Sequence, residues 1–222
     1  MLRAFEAAEL EYVLVGATAM GFHGVVRATE DIDLFVRATA DNVERLKRAL
    51  QHAYPDDPHV AEITAEDLLG DYPAVRYYPP SGDLFFDVMT RLGDAASYDT
   101  VPSEIKEVDG VRVRVATPAA LYRLKRDTVR PLDRQDAEAC AAGSTRRRTT
   151  DVPIEKFRSA AEMQAAPATA GHGDVERFFR HCARFLRIAP RNYPRGVFRF
   201  RTLQEAQAAR PVAGRPDPPP SP

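Results

Sequence analysis

Cysteine is scarce in this chain, strong net charge is missing, and no apolar run is long. Each absence removes a class of protein. The two cysteines, Cys140 and Cys182, lie far apart. They build neither a disulfide framework nor a zinc knuckle; both read as ordinary helix residues, and a reducing, cytoplasmic setting suits them. A formal net charge of −1 excludes the global basic field of a nucleic-acid coat protein, so any nucleic-acid partner must be held by a local patch. No run approaches the roughly 18–20 apolar residues of a membrane span. The opening MLRAFEAAELEY has no continuous apolar core of the kind a signal peptide needs. The expectation is a soluble, intracellular protein with no membrane partner.

What is present is enough for a core. The chain has 222 residues, of which 44% are hydrophobic, which fits one sizeable domain with a smaller appendage. The chain is organised around residues 12–36, YVLVGATAMGFHGVVRATEDIDLFV. Tyr12–Val15 reads as a buried strand. Gly16 then turns the chain into a helix that runs to about His23, with Gly24 as its end signal. Gly16 lets the backbone approach a ligand closely, and the N–H groups of 17–19 would point outward at a helix start, an anion-binding geometry. Asp31-Ile32-Asp33 opens a second strand. Residues two apart on a strand share a face, so Asp31 and Asp33 stand side by side with Ile32 turned to the core. Two adjacent carboxylates call for a cation between them, normally Mg²⁺ held by oxygen ligands.

The rest of the chain supplies a scaffold. Residues 2–9 form a short amphipathic helix. Residues 41–53 form a longer one, with Asp41 and Glu44 as a capping box and Val43, Leu46 and Leu50 as its apolar stripe. Thr64 caps a short helix. Val75–Tyr78 and Leu84–Met89 read as strands joined by a Pro-Pro-Ser-Gly turn. The second of them carries Asp87 among Phe85, Phe86, Val88 and Met89, where a carboxylate needs a partner. Asp87 is therefore either a third metal ligand or a buried acid paired with Arg or Lys. Asp109-Gly110 marks a type I′ hairpin. Thr117-Pro118 starts a helix that carries Leu121, Leu124 and Lys125 and ends at Arg130-Pro131; Asp133 caps a last helix through about Ala142.

The domain so read covers 1–142. Residues 143–151, with Arg146–Arg148, read as a solvated linker. A small tail over 152–210 contains an internal echo, FRSxxExQAA at 157–166 and FRTxxExQAA at 200–209, with Ser159 and Thr202 as caps and a helix over about 175–186 between the copies. Residues 211–222, rich in proline, read as disordered. The fold class is α/β (α+β): a small mixed, twisted sheet backed by helices, followed by a mostly irregular or helical tail.

A Gly-led turn, an Asp-x-Asp on the next strand and a third strand Asp together suit a nucleoside triphosphate held by two Mg²⁺ ions. Arg27, Lys125 and Arg130 are candidate cations for its phosphates. His23 reads as a helix-end packing residue beside a weaker catalytic reading.

These residues resemble a known family. GATAM…HG…R.TEDIDLFV is similar to the hG[GS]…DhDh signature of the DNA polymerase β-like nucleotidyltransferase superfamily. Within it, the chain looks like the small bacterial nucleotidyltransferases grouped with the AbiEii toxins of type IV toxin–antitoxin systems. That group also carries a later Lys…Arg-x-x-Asp-x-x-Asp element, here Lys125, Arg130, Asp133 and Asp136. The likeness covers roughly 5–142. It implies the minimal nucleotidyltransferase fold, metal binding by Asp31, Asp33 and Asp87, and triphosphate contact by Gly16, Ala17 and Thr18. Ala17 departs from the usual Gly or Ser; its N–H survives and Thr18 offers a hydroxyl nearby. Asp136 reads as a structural partner of Lys125 or Arg130, and Arg130 with Asp133 either as a site element or as a helix-junction ion pair.

The resulting expectation is a Mg²⁺- or Mn²⁺-dependent enzyme that moves a nucleoside monophosphate to a hydroxyl of an RNA (tRNA among them), a protein or a small molecule. Asp31 and Asp33 would hold the metals, Asp87 would complete the site and help deprotonate the acceptor, and Lys125 and Arg130 would neutralise charge or fix the acceptor. The chain would be the toxin of a toxin–antitoxin pair, with the tail open to an antitoxin or to self-association. The alternatives are a catalytically inactive nucleotidyltransferase-fold binding protein and a protein-interaction module.

Overall fold

The apolar runs of the sequence become the middle strands of one sheet. The computed structural model describes residues 1–26, 29–80, 84–93, 96–126 and 193–209, together with 168, 169, 178, 182 and 184. In chain order the elements are α1 (Leu2–Ala7), β1 (Tyr12–Val15), α2 (Gly16–Phe22), β2 (Val25–Val26), β3 (Asp31–Val36), α3 (Ala40–Ala53), a 3₁₀ turn (Pro58–Glu62), α4 (Ala65–Leu69), β4 (Ala74–Tyr78), β5 (Phe85–Met89), β6 (Arg91–Leu92), β7 (Ala96–Ser97), β8 (Ser103–Val108), β9 (Val111–Ala116), α5 (Pro118–Arg126), β10 (Ala168–Thr169), β11 (Gly196–Phe200) and α6 (Leu203–Ala208).

Seven strands form the main sheet in the order β11-β4-β5-β3-β1-β9-β8. It is mixed: β3 runs parallel to β5 and β1 parallel to β9, while the other neighbours are antiparallel. All four residues of β1 are buried, as expected of a strand with elements on both faces. The β8–β9 hairpin lies at the edge, and β9 alternates buried and exposed residues over its first four positions. Its turn has Asp109 at φ 51° and Gly110 at φ 74°, the pair of positive values that a type I′ turn requires.

The two faces of the sheet do different work. Ile32, Leu34 and Val36 of β3 and Phe86 of β5 point to one side and are almost fully buried. There the Phe86 ring meets Phe5 of α1, Tyr54 at the end of α3 and Tyr77 of β4, with centroids 6.0–6.4 Å apart. This is the main apolar core, closed by Val43, Leu46 and Leu50 of α3. The opposite face carries Asp31, Asp33 and Asp87, and α2 packs against it with α5 beside it. The first side fixes the strands, and the second, which also buries Phe35, Phe85 and Met89, carries the acid cluster.

Two sequence expectations need correction. The first concerns the start of α3. Thr39, not Asp41, is the N-cap: it has extended backbone and its side chain accepts the N–H of Asn42. Asp41 lies within the first turn, where a negative charge favours the helix dipole, and Glu44 pairs with Lys47 at 3.2 Å. The second concerns the tail. The segment that leads into its second repeat copy, Gly196–Phe200, pairs antiparallel with β4 over five residues and extends the sheet. The physical reason is the open edge of β4 together with Phe198, which meets the Tyr78 ring edge-on at 5.6 Å. Thr202 does cap the helix that follows, accepting the N–H of Glu205, while Glu205 accepts the N–H of Arg201 at 2.8 Å. The first copy, the linker, the helix started by Asp133 and the terminal proline-rich stretch lie outside the described residues; 178, 182 and 184, within the expected tail helix, are helical. No helix among the described residues is long and apolar enough to cross a membrane.

The cap correction is testable by urea denaturation. Thr39→Ala is expected to cost about 1 kcal/mol, and Asp41→Ala only a few tenths of a kcal/mol, roughly a dipole effect.

Candidate active site

The site is written across neighbouring strands by register. The parallel pairing of β3 and β5 sets Asp33 opposite Asp87 and Asp31 opposite Phe85. One oxygen from each of Asp31, Asp33 and Asp87 lies within 4.8 Å of the other two. At that spacing, two unit charges repel by about 3 kcal/mol at an effective dielectric near 20. Asp31 is 4% exposed, so water screens it little. Such a cluster stands only if its surroundings favour charge.

Several contacts do so. Thr29 donates its hydroxyl to Asp31 Oδ1. Asp87 receives a fork from Arg76: Nε donates to Oδ1 at 2.7 Å and an Nη to Oδ2 at 3.0 Å. Arg76 stands opposite Asp87 in the β4–β5 register and is 1% exposed. Bidentate Arg–carboxylate pairing of this kind fixes direction as well as charge. Removing one partner of a buried pair costs about 3–5 kcal/mol. Asp87 was expected to be a metal ligand or a buried acid with a cationic partner, and the geometry combines the acid cluster with the partner. Arg76 is the site residue missed from the sequence. The signal was available in part: a charged residue inside the apolar run AVRYY, on the strand that the Pro-Pro-Ser-Gly turn joins to the strand of Asp87.

Gly16 is the other fixed point. It begins α2 with φ +66°, and a Cβ built on it would lie 1.8 Å from Asp33 Oδ2. Only glycine allows this carboxylate to sit against the turn. The β1–β3 register, with Val15 opposite Asp33, brings them together. Thr18 donates its hydroxyl to the Asp31 backbone carbonyl at 3.2 Å, and both it and Ala17 are buried. These side chains therefore seat α2 on β3.

The remaining expected residues fall in different places. Lys125 is 8% exposed in the last turn of α5 and is engaged by a partner there. Its side chain is not a solvated helix residue. His23 caps the end of α2 and donates from Nε2 to the Ala116 carbonyl at 2.8 Å, the packing role read from the sequence. Burial, the largest influence, holds its imidazole below the ordinary 6.5, against the pull of the Ala116 hydrogen bond. Cys182 is buried. Arg27, Arg130, Asp133, Asp136, Cys140 and Arg146–Arg148 lie outside the described residues.

With this geometry in place, the comparison with known families is decisive. Residues 1–139 match the family model described as nucleotidyl transferase AbiEii toxin, type IV TA system. The chain belongs to this family. It is thus a nucleotidyltransferase of the AbiEii toxin group, and the resemblance read from GATAM and TEDIDLFV is the correct one. No curated protein matches the chain. The mixed sheet with the acids on β3 and β5 is consistent with the nucleotidyltransferase fold.

The acid cluster also fits a divalent metal. Three carboxylates offer hard oxygen donors suited to Mg²⁺ or Mn²⁺. Arg76 fixes the direction of one of them, the kind of outer contact that orients metal ligands.

Two outcomes follow from these contacts. Gly16→Ala is expected to disturb the acid cluster, because either Asp33 or the start of α2 must move; a divalent ion held by the three aspartates would then be lost in Mn²⁺ titration. For His23, folding lowers proton affinity, so the unfolded chain binds the proton more readily. Its contribution to stability is full above pH 6.5 and is lost as pH falls from there through the lower folded value. Thermal melting between pH 7 and pH 5 should therefore show a shallower loss in His23→Gln than in the wild type; equal slopes would remove His23 as a source of acid sensitivity.

Proposed function

We propose that the Asp31, Asp33 and Asp87 cluster binds Mg²⁺ or Mn²⁺, and that the protein transfers a nucleoside monophosphate from a nucleoside triphosphate to a hydroxyl on RNA, protein or a small molecule. The observation that carries this is the approach of three carboxylate oxygens to within 4.8 Å, on a face that also holds the Gly16 turn, in a chain of the AbiEii family. When bound, a divalent ion there supplies charge neutralisation for the triphosphate and a lowered pKa for the attacking hydroxyl.

The chain's own residues do the holding. Asp31 is oriented by Thr29, Asp33 by the bare Cα of Gly16, and Asp87 by the Arg76 fork. Both oxygens of Asp87 face donors of Arg76, which favours a ligand role over that of a base that must take and release a proton. The backbone N–H groups of Gly16, Ala17 and Thr18 are the proposed contacts to the phosphates, with Arg27 and Arg130 as their cationic partners. Lys125, buried at the end of α5, is the proposed cation for charge developing on the transferred group. Positioning and charge neutralisation are the main requirements of phosphoryl-type transfer. The protein would act in the cytoplasm as the toxin of a pair whose second member is an antitoxin.

Calorimetric titration with each nucleoside triphosphate tests this reading. Binding should need Mg²⁺ and should weaken at least about tenfold in Asp31→Ala and Asp33→Ala, in line with losses seen when a metal's anchoring shell is cut. Triphosphate binding indifferent to Mg²⁺ and to both substitutions would refute it. Incubation with each labelled triphosphate, total tRNA and a protein extract then identifies the acceptor.

A further inference from the structure

The Arg76 guanidinium is held by more than Asp87. A row of facing residues runs across four strands: Asp33 of β3, Asp87 of β5, Arg76 of β4 and Phe198 of β11. The last member belongs to the tail, far beyond the family-matched 1–139. The tail also supplies direct contacts. An Nη of Arg76 donates to the Ala206 carbonyl of α6 at 3.0 Å. The guanidinium carbon lies 4.9 Å from the Phe85 ring centroid and 5.3 Å from that of Phe200. One side of the cation thus faces the acid cluster, and the other is closed by β11 and α6.

The tail is itself anchored. Arg199 pairs with Asp67 at 2.6 Å and donates to the Glu62 carbonyl at 2.6 Å. Tyr193 stacks on Tyr78 at 5.1 Å and donates its hydroxyl to Glu30, the residue immediately before Asp31. A guanidinium is planar with donors in fixed directions. Its orientation toward Asp87 is therefore set in part by what holds its far side.

We propose that residues 193–209 belong to the catalytic unit and act, through Arg76, to position Asp87 for metal binding. Arg76 is a positioning residue, and the Ala206 carbonyl with the Phe200 ring is the support that the tail gives it. The family-matched stretch alone is then an incomplete site. This inference rests on the metal reading given under Proposed function.

The test uses the full chain and reads Mn²⁺ affinity from the free-ion electron paramagnetic resonance signal, at a temperature where circular dichroism shows each variant folded. Arg76→Lys keeps the charge and removes the fork; it should bind Mn²⁺ about 10- to 100-fold more weakly, the usual cost of losing an orienting partner of a ligand. Thr202→Ala removes the cap of α6 at an exposed position and loosens the Ala206 carbonyl; it should weaken Mn²⁺ several-fold, and it decides the matter alone if Arg76→Lys does not fold. Asp31→Ala is the control for the metal reading. If Asp31→Ala loses Mn²⁺ while the other variants bind it as the wild type does, the positioning role is overturned and the metal reading stands. If Asp31→Ala binds Mn²⁺ unchanged, the metal reading falls and the inference falls with it.

Discussion

Three carboxylates held within 4.8 Å of one another are the constraint on which the rest of this structure depends. Each pair repels by about 3 kcal/mol under modest screening, so the fold must supply both rigidity and compensating charge. Rigidity comes from the other face of the sheet, where Ile32, Leu34 and Phe86 are locked between α1 and α3. Compensation comes from Arg76, itself buried and braced from behind. Gly16 meets a third demand by giving Asp33 room that no side chain would leave.

The sheet register converts local sequence patterns into a site. Asp-x-Asp places two acids on one face, but only the parallel pairing of β3 with β5 brings Asp87 beside Asp33. The antiparallel pairing of β4 with β5 then brings Arg76 to Asp87. Strand slip by one residue would turn each of these groups to the core side. The large apolar residues that alternate with them, Ile32, Tyr77 and Phe86, oppose that slip. Core packing and site assembly are two consequences of the same alternation.

How much was legible in the sequence varied with the range of the interaction responsible. Local signals carried well: the Gly16 turn, the Asp109-Gly110 hairpin, the Thr64, Thr117 and Thr202 caps, and the shared face of Asp31 and Asp33 all depend on neighbours within a few residues. The α3 cap was misplaced by two residues because Asp41 and Glu44 imitate a capping box, while backbone conformation selects Thr39. Longer-range features were harder. Asp87 was known to need a partner, but naming Arg76 required the β4–β5 register. The joining of β11 to β4 spans more than a hundred residues, and no pattern in FRFRT announces which edge it will cover. The tail therefore read as an appendage, although its strand completes the sheet.

Membership of the AbiEii family fixes the class of chemistry, and the acid cluster is the place we propose for it. The central claim is that Asp31, Asp33 and Asp87 form one divalent-metal site. Anomalous diffraction from crystals grown with Mn²⁺ and a non-hydrolysable nucleoside triphosphate tests it most directly. The expected result is anomalous density in contact with oxygens of all three aspartates. Ordered triphosphate with no anomalous density at these residues, or with Mn²⁺ bound elsewhere, would contradict it.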